Sequence, residues 1–152
     1  MAVLPKTIKL KGHVGVRCEG KAAAAITPGM LVNINSTGGI IPHGVSAGNA
    51  VKAFALEYEL EGREISADYA TNDQVLYEIV PPGAEIYAAL PASAAAIVIG
   101  DFLTSNGAGY LIKAATNAAT SEAQRAGIVA QAIEAVDNSA GPAGTRIKVR
   151  VV

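Results

Sequence analysis

Charge is what this sequence has least of. Asp, Glu, Lys and Arg make up 16% of its 152 residues, against about 25% in an ordinary globular domain. Cysteine occurs once, as Cys18. That excludes an intrachain disulfide and fits a reducing compartment. Trp is absent and Phe occurs twice, so the basic segments carry no interleaved aromatic rings on which bases could stack. A net charge of −1 gives no global pull on a phosphate backbone. Nucleic acid is therefore not an expected partner. Mean hydropathy is +0.33, yet no apolar run approaches the ~20 residues that span a bilayer, so no membrane is expected either. The start, MAVLPKTIKLKGH, has no apolar h-region and no small-residue cleavage site, which predicts a protein that is not secreted. The sequon at Asn35-Ser36-Thr37 is then a chance match.

What is present is apolar and small. A chain with few charges has little with which to cover its surface. Either much of that surface meets protein, since large apolar patches mark interfaces, or abundant Ala raises hydropathy without making patches. The charges that exist are unevenly placed. Lys6, Lys9, Lys11, Arg17 and Lys21 face only Glu19 at the start, and Arg146, Lys148 and Arg150 close the chain. Between them, over residues 57–85, Glu57, Glu59, Glu61, Glu64, Asp68, Asp73, Glu78 and Glu85 face a single Arg63. Such asymmetry can orient one copy against another or against a larger partner. Solvated strand faces give the same pattern.

The chain repeats itself. Residues 21–41, KAAAAITPGMLVNINSTGGII, lie over residues 92–112, ASAAAIVIGDFLTSNGAGYLI, without a gap at an offset of 71. Identical pairs include Ile26/Ile97, Gly29/Gly100, Asn35/Asn106, Gly38/Gly109 and Ile41/Ile112. Ala53–Glu57 (AFALE) then matches Ala130–Glu134 (AQAIE) at an offset of 77, and Pro81–Leu90 matches Pro142–Val151 at 61. The blocks keep their order, which predicts a tandem duplication. Residues 1–19 form an arm or first strand. Residues 20–90 form one β module with an extra acidic hairpin over 57–80, and residues 91–152 form a second, in one compact domain overall.

Local patterns say strand. TIKLKGHVGVRC alternates, with Ile8 and Leu10 opposite Lys9 and Lys11. AFALEYEL sets Phe54, Leu56, Tyr58 and Leu60 on one side, Glu61-Gly62 turns into REISADY, and TNDQ turns into VLYEIV. RIKVRVV is a closing strand with Lys148 and Arg150 opposite Ile147, Val149 and Val151. Many short strands separated by Gly, Pro, Asn and Asp predict an all-β fold, a small barrel or sandwich built from the two modules. At most a short helical turn is expected, near Ser121–Arg125, where Ser121 and Gln124 read as a capping box, with strand resuming at about Gly127.

The search for chemistry finds little convergence. His13 and His43 lie apart, without partners at metal-ligand spacing. Cys18 beside Arg17 reads as an ordinary strand residue. No GxSxG elbow, HExxH pair or P-loop occurs. The glycine-rich stretch Gly29–Ile41 could cradle a phosphate, but it lacks the Lys-Ser/Thr ending and following helix. Its second copy keeps the glycines, the Asn and the flanking apolar pairs while the polar residues change. Gly29, Asn35 and Gly38, with Gly100, Asn106 and Gly109, are therefore turn scaffold. The corners run from Leu31–Ile34 into Ile40–Ile41, and from Phe102–Thr104 into Leu111–Ile112. Asp68 and Asp73 could meet across a hairpin, and the acidic stretch 57–78 could serve acid–base chemistry or hold a hard cation. The reading from this side is a β-barrel ligand- or cation-binding module, or a small enzyme.

Two segments of the form A-x-x-I-x-x-G-x-[LF]-[VL], Ala23–Val32 and Ala94–Leu103, each lead into an Asn/Gly turn, in a short chain without catalytic groups and behind a mixed polar and apolar arm. This pattern resembles the capsid decoration (cement) proteins of tailed bacteriophages. The resemblance covers most of the chain and rests on size, composition and pattern rather than on a diagnostic motif. It implies a β-rich structural protein, without enzymatic activity or cofactor, made in the host cytoplasm and carried on the outer surface of the virion head. It implies homo-oligomers, trimers before dimers, that clamp neighbouring major capsid subunits against internal pressure. Arms of such proteins often add a strand to a partner's sheet, and many weak neutral contacts add up over a shell. In that role Leu4, Pro5, Ile8, Lys9, Leu10 and Lys11 are the candidate partner-contacting residues. The competing reading makes the same segment the first strand of the protein's own barrel.

Overall fold

Residues 3–115 and 125–152 are described by a computed structural model. The chain is nearly all β, in several sheets that pack as a small sandwich, and among the described residues no sheet closes into a barrel. The strands are β1 (Lys9–Lys11), β2 (Val16–Lys21), β3 (Val32–Ile34), β4 (Ile40–Pro42), β5 (Ala53–Ala55), β6 (Gln74–Ile79), β7 (Glu85–Ala89), β8 (Ala94–Ile97), β9 (Phe102–Ser105), β10 (Leu111–Lys113), β11 (Ile128–Ala132), β12 (Val136–Asn138) and β13 (Arg146–Val151). A six-stranded antiparallel sheet has the order β1-β7-β13-β11-β9-β10. A three-stranded sheet, β2-β6-β5, packs against it, and β3-β4 and β8-β12 form two-stranded pairs.

The alternation along β7 and β13 shows why these residues form strands. Ile86, Ala88, Ile147, Val149 and Val151 turn into the main core, where they meet Phe54, Leu56 and Leu76 from the other sheet. Glu85, Lys148 and Arg150 take the other face, at the period of two that a pleated strand imposes. A second apolar cluster lies on the far side of β2-β6-β5, where Ala53, Ala55, Val75 and Tyr77 meet Ile26, Met30, Val32, Ile40 and Tyr69. The three-stranded sheet is thus covered on both faces, which explains the nearly unbroken burial of β6.

The repeated stretches adopt the same local structure. Gly29 and Gly100 donate to Ala55 O and Ala132 O at 2.8 and 2.9 Å, and Ala55 and Ala132 donate back to Met30 O and Asp101 O. Asn35 and Asn106 both receive a backbone N–H two residues on, at 3.0 and 2.8 Å, and another four residues on, at 2.8 and 3.1 Å. β7 and β13 are counterparts in the repeat, and they pair antiparallel with Tyr87 opposite its own counterpart Lys148. A local two-fold axis therefore passes between them.

Several expectations change in detail. β5 ends at Ala55, and Glu59–Glu61 form one turn of 3-10 helix instead of a continuing strand. Leu60 consequently points to solvent instead of sharing a face with Phe54. REISADY contains no strand; only Tyr69 makes a bridge, to Ile26. Before β6 the acidic insert is therefore a turn-rich excursion rather than a hairpin, because Glu57, Glu59 and Glu61 each engage a separate partner and Tyr58, Ile65 and Tyr69 pack on the cores instead of facing one another across a ladder. Of the helical turn near Ser121–Arg125, residues 121–124 lie outside the described residues. The expected restart near Gly127 is β11.

Candidate interaction surface

The structure divides the N-terminal segment. Ile8 is fully buried in the main core, whereas Val3 is 89% and Leu4 71% exposed. Ile8 N–H donates to Glu57 Oε2 at 2.9 Å and its carbonyl accepts from Tyr87 N–H at 2.8 Å. Glu134, the counterpart of Glu57, instead accepts Lys148 N–H at 2.7 Å from a strand of its own half. The residue that leads into β1 is thus held by a carboxylate whose counterpart accepts an N–H within β13. Lys9 donates to His13 O at 3.0 Å and pairs with Glu78, whose carboxylate also accepts Gly15 N–H at 2.8 Å. β1 is therefore an edge strand of the protein's own sheet. Ile8 and Lys9 are engaged within the chain, Leu10 and Pro5 are half-buried, and Leu4 and Lys11 face solvent.

The acidic residues do not converge. Glu59 pairs with Arg17 at 2.8 Å, Glu61 and Asp73 pair with Arg63 at 3.2 and 3.1 Å, and Glu78 is taken by Lys9. Asp73 is held below the usual carboxylate range first by the Ala70 N–H and then by Arg63. Asp68 does not meet Asp73. It lies in a polar pocket of 410 Å³ with Thr27, Ser66, Tyr110 and Arg146. Arg146 donates there to Pro28 O at 3.2 and 3.0 Å and to Ile65 O, and burial lowers its pKa. Its role in that geometry is to staple two loops to the sheet. Among the described residues no group of three or more His, Cys, Asp or Glu could hold a metal ion.

The histidines are equally dispersed. Nε2 of the buried His43 lies 3.0 Å from Asn49 O, which can only accept, so Nε2 carries the proton. Nδ1 then accepts from the Ser105 hydroxyl at 2.8 Å. The His43–Ser105 contact joins the two copies of the turn hairpin. It is enclosed, with both partners at most 1% exposed. Cys18 lies half-buried in β2 opposite Tyr77.

The turn scaffold also differs between copies. Gly38 and Gly109 have φ of 84° and 82°, a region that L side chains rarely occupy. A Cβ on Gly38 would meet open space. One on Gly109 would lie 2.8 Å from Pro42 Cβ and 3.2 Å from Leu31 O, because this tip packs on the first hairpin. Leu31 N–H donates to Gly109 O at 2.8 Å, and Gly109 N–H donates to His43 O at 3.1 Å. One turn is a free tip and the other a joint.

A further feature is not singled out by the sequence. An apolar cleft of 130 Å³ lies at the mouth of the second core, lined by Val32, Ile34, Ile40, Val51, Ala53 and Ile79. Ile34, Val51 and Ile79 are exposed, and exposed Val16 is the cross-strand neighbour of Ile79. The signal of the cleft lay in the repeat. Ile34 is apolar and exposed, whereas its counterpart Ser105 is polar and buried. A comparison with models of known protein families finds no match, and a comparison with curated proteins finds none either.

Proposed function

We propose that the protein is a structural virion protein that binds the outer surface of a tailed-phage head and stabilises it by clamping neighbouring major capsid subunits. The observation that carries this reading is the exposed apolar surface around the cleft, on a chain in which, among the described residues, no group of three or more His, Cys, Asp or Glu converges on a metal site. Val16, Ile34, Val51 and Ile79 together with the projecting Val3 and Leu4 offer contact surface. His43, Ser105, Glu78 and Arg146 are bound within the fold. The low charge supports the same reading, since neutral contacts of modest strength accumulate when repeated over a shell. The oligomer proposed is a homotrimer, with a dimer as the smaller alternative.

Co-sedimentation tests the proposal. The protein is mixed with expanded heads assembled from the major capsid protein of the same virus, and with unexpanded heads as control. Saturable binding to expanded heads is expected. A protein that ignores heads, yet whose own melting temperature falls on addition of a chelator, would point instead to the acidic excursion 57–78 as a cation site.

A further inference from the structure

The polar pocket that holds Asp68 and Arg146 is walled by segments that the fold fixes one by one. Ile26 and Tyr69 exchange both main-chain hydrogen bonds, at 3.0 and 2.8 Å, which brings the next positions on each side, Thr27 and Asp68, to the pocket wall. Tyr110 N–H donates to Asn106 Oδ1 at 3.1 Å, and its carbonyl accepts from Asn106 N–H at 2.9 Å. Gly144 N–H donates to Leu90 O at 3.0 Å. The walls are set, yet the groups on them are not paired with one another. Among the described residues the Thr27, Ser66 and Tyr110 hydroxyls and the Asp68 carboxylate have no hydrogen-bond partner. Arg146 donates through Nε and Nη2 and keeps Nη1. Asp68 makes no ion pair with Arg146, although its charge partly offsets the effect of burial on the guanidinium. The repeat shows that this polar set is particular to one half. Thr27, Tyr110 and Arg146 have Val98, Gly39 and Glu85 as counterparts, and Ser66 and Asp68 belong to the insert, which has none.

From this we infer that the pocket binds a neutral, polyhydroxylated ligand, a saccharide unit. Its volume of 410 Å³ lies within the range of about 300–1,000 Å³ usual for small-ligand pockets, in which a few convergent polar groups fix the ligand's orientation. The charges select the class. One guanidinium and one carboxylate, held apart, cancel over the pocket as a whole. A phosphate would be drawn by Arg146 and opposed by Asp68. A metal ion would find a single carboxylate with a guanidinium in the same pocket. A ligand hydroxyl both donates and accepts. A ring that bears several hydroxyls therefore meets Nη1, the Asp68 oxygens and the three wall hydroxyls alike. Tyr110, half-buried against the second core, adds an apolar ring with a polar tip, which suits a ligand with C–H and O–H faces. This inference goes beyond capsid binding and does not depend on it, and it is tested on purified protein alone.

The test is a titration followed by the backbone amide signals of the full chain in solution. Glucose, galactose, mannose and N-acetylglucosamine are each added to high millimolar concentration. Inorganic phosphate, calcium and glycine are added in parallel as an anion, a cation and a zwitterion. At least one sugar should give saturable shifts centred on Thr27, Ser66, Asp68, Tyr110 and Gly144, and the charged probes should give none there. Asp68→Ala removes an ionised acceptor and should weaken sugar binding by about tenfold or more. Tyr110→Phe keeps the ring and removes the hydroxyl, and should weaken it by about threefold. Glu64→Ala, on the same excursion but outside the pocket lining, should leave it unchanged. The same spectra show that each variant is folded. The inference is overturned if no sugar gives saturable shifts at the pocket, or if phosphate, calcium or glycine saturates it instead. Sugar binding that neither Asp68→Ala nor Tyr110→Phe weakens overturns it too.

Discussion

Replacing Ile8 by Ala separates two roles for the N-terminus, because the structure makes it a core residue only four positions from a solvent-facing one. Ile8 is fully buried among Ile86, Val80 and Leu56, while Leu4 is 71% exposed. Truncating a buried Ile to Ala removes its transfer free energy and leaves a cavity, together about 3 kcal/mol within a range of 2–5. The main-chain bonds to Glu57 and Tyr87 stay in place, so the loss is one of packing. For a chain of this length about 1 kcal/mol moves Tm by roughly 2–4 °C. Ile8→Ala should therefore lower Tm by about 6–12 °C. Leu4→Ala, measured in dilute protein, should stay within about 0.5 kcal/mol, as surface substitutions do. Differential scanning fluorimetry with a urea titration supplies both numbers. Equal small shifts for the two variants would refute the placement of β1 in the sheet and return the whole segment to the role of a free arm.

Other expectations follow from the same structure. Ala at Gly109 should destabilise well beyond the roughly 1 kcal/mol expected for losing positive φ, whereas Ala at Gly38 should cost about that amount, by chemical denaturation. Asn35→Ala and Asn106→Ala should each cost about 1–2 kcal/mol by stranding N–H donors, and the Asp variants should cost less because an acceptor remains. Burial pushes the Tyr69 hydroxyl up to about 12. Its folded pKa exceeds the unfolded value of about 10, so its contribution is complete below pH 10 and is lost as pH rises towards 12. Absorbance at 295 nm should show a late-ionising tyrosine that Tyr69→Phe removes. At the acid end Asp73, Asp101 and Asp137 are held low, chiefly by the Ala70 N–H, Lys113 and Ser139 respectively. Their contribution is present above about pH 4 and lost as pH falls through the lowered values, which an acid denaturation curve reads.

The repeat was the most informative part of the sequence. It located β3, β4, β9 and β10 to within a residue, because the turn chemistry of Asn35 and Asn106 is local and written in residue type. The closing strand was equally legible, since strict alternation over Arg146–Val151 leaves one face for a core. The acidic insert was misread because alternating Glu and apolar residues look like a strand even where no neighbour exists to pair with it, as Leu60 shows. Ile8 and Leu4 carry similar side chains in similar surroundings of sequence. What separates them is Glu57, far along the chain, and no local pattern encodes that contact. The cleft escaped for a related reason. It arises where two copies of one design diverge, so it is visible only when counterparts such as Ile34 and Ser105 are compared after folding.

The central claim, stabilisation of a phage head, is tested most directly by calorimetry of expanded heads with and without saturating protein. The protein should raise the temperature of the head-disruption transition, and the rise should shrink when Val51 or Ile79 at the cleft rim is replaced by Asp. An unchanged transition in the presence of saturating protein would contradict the claim.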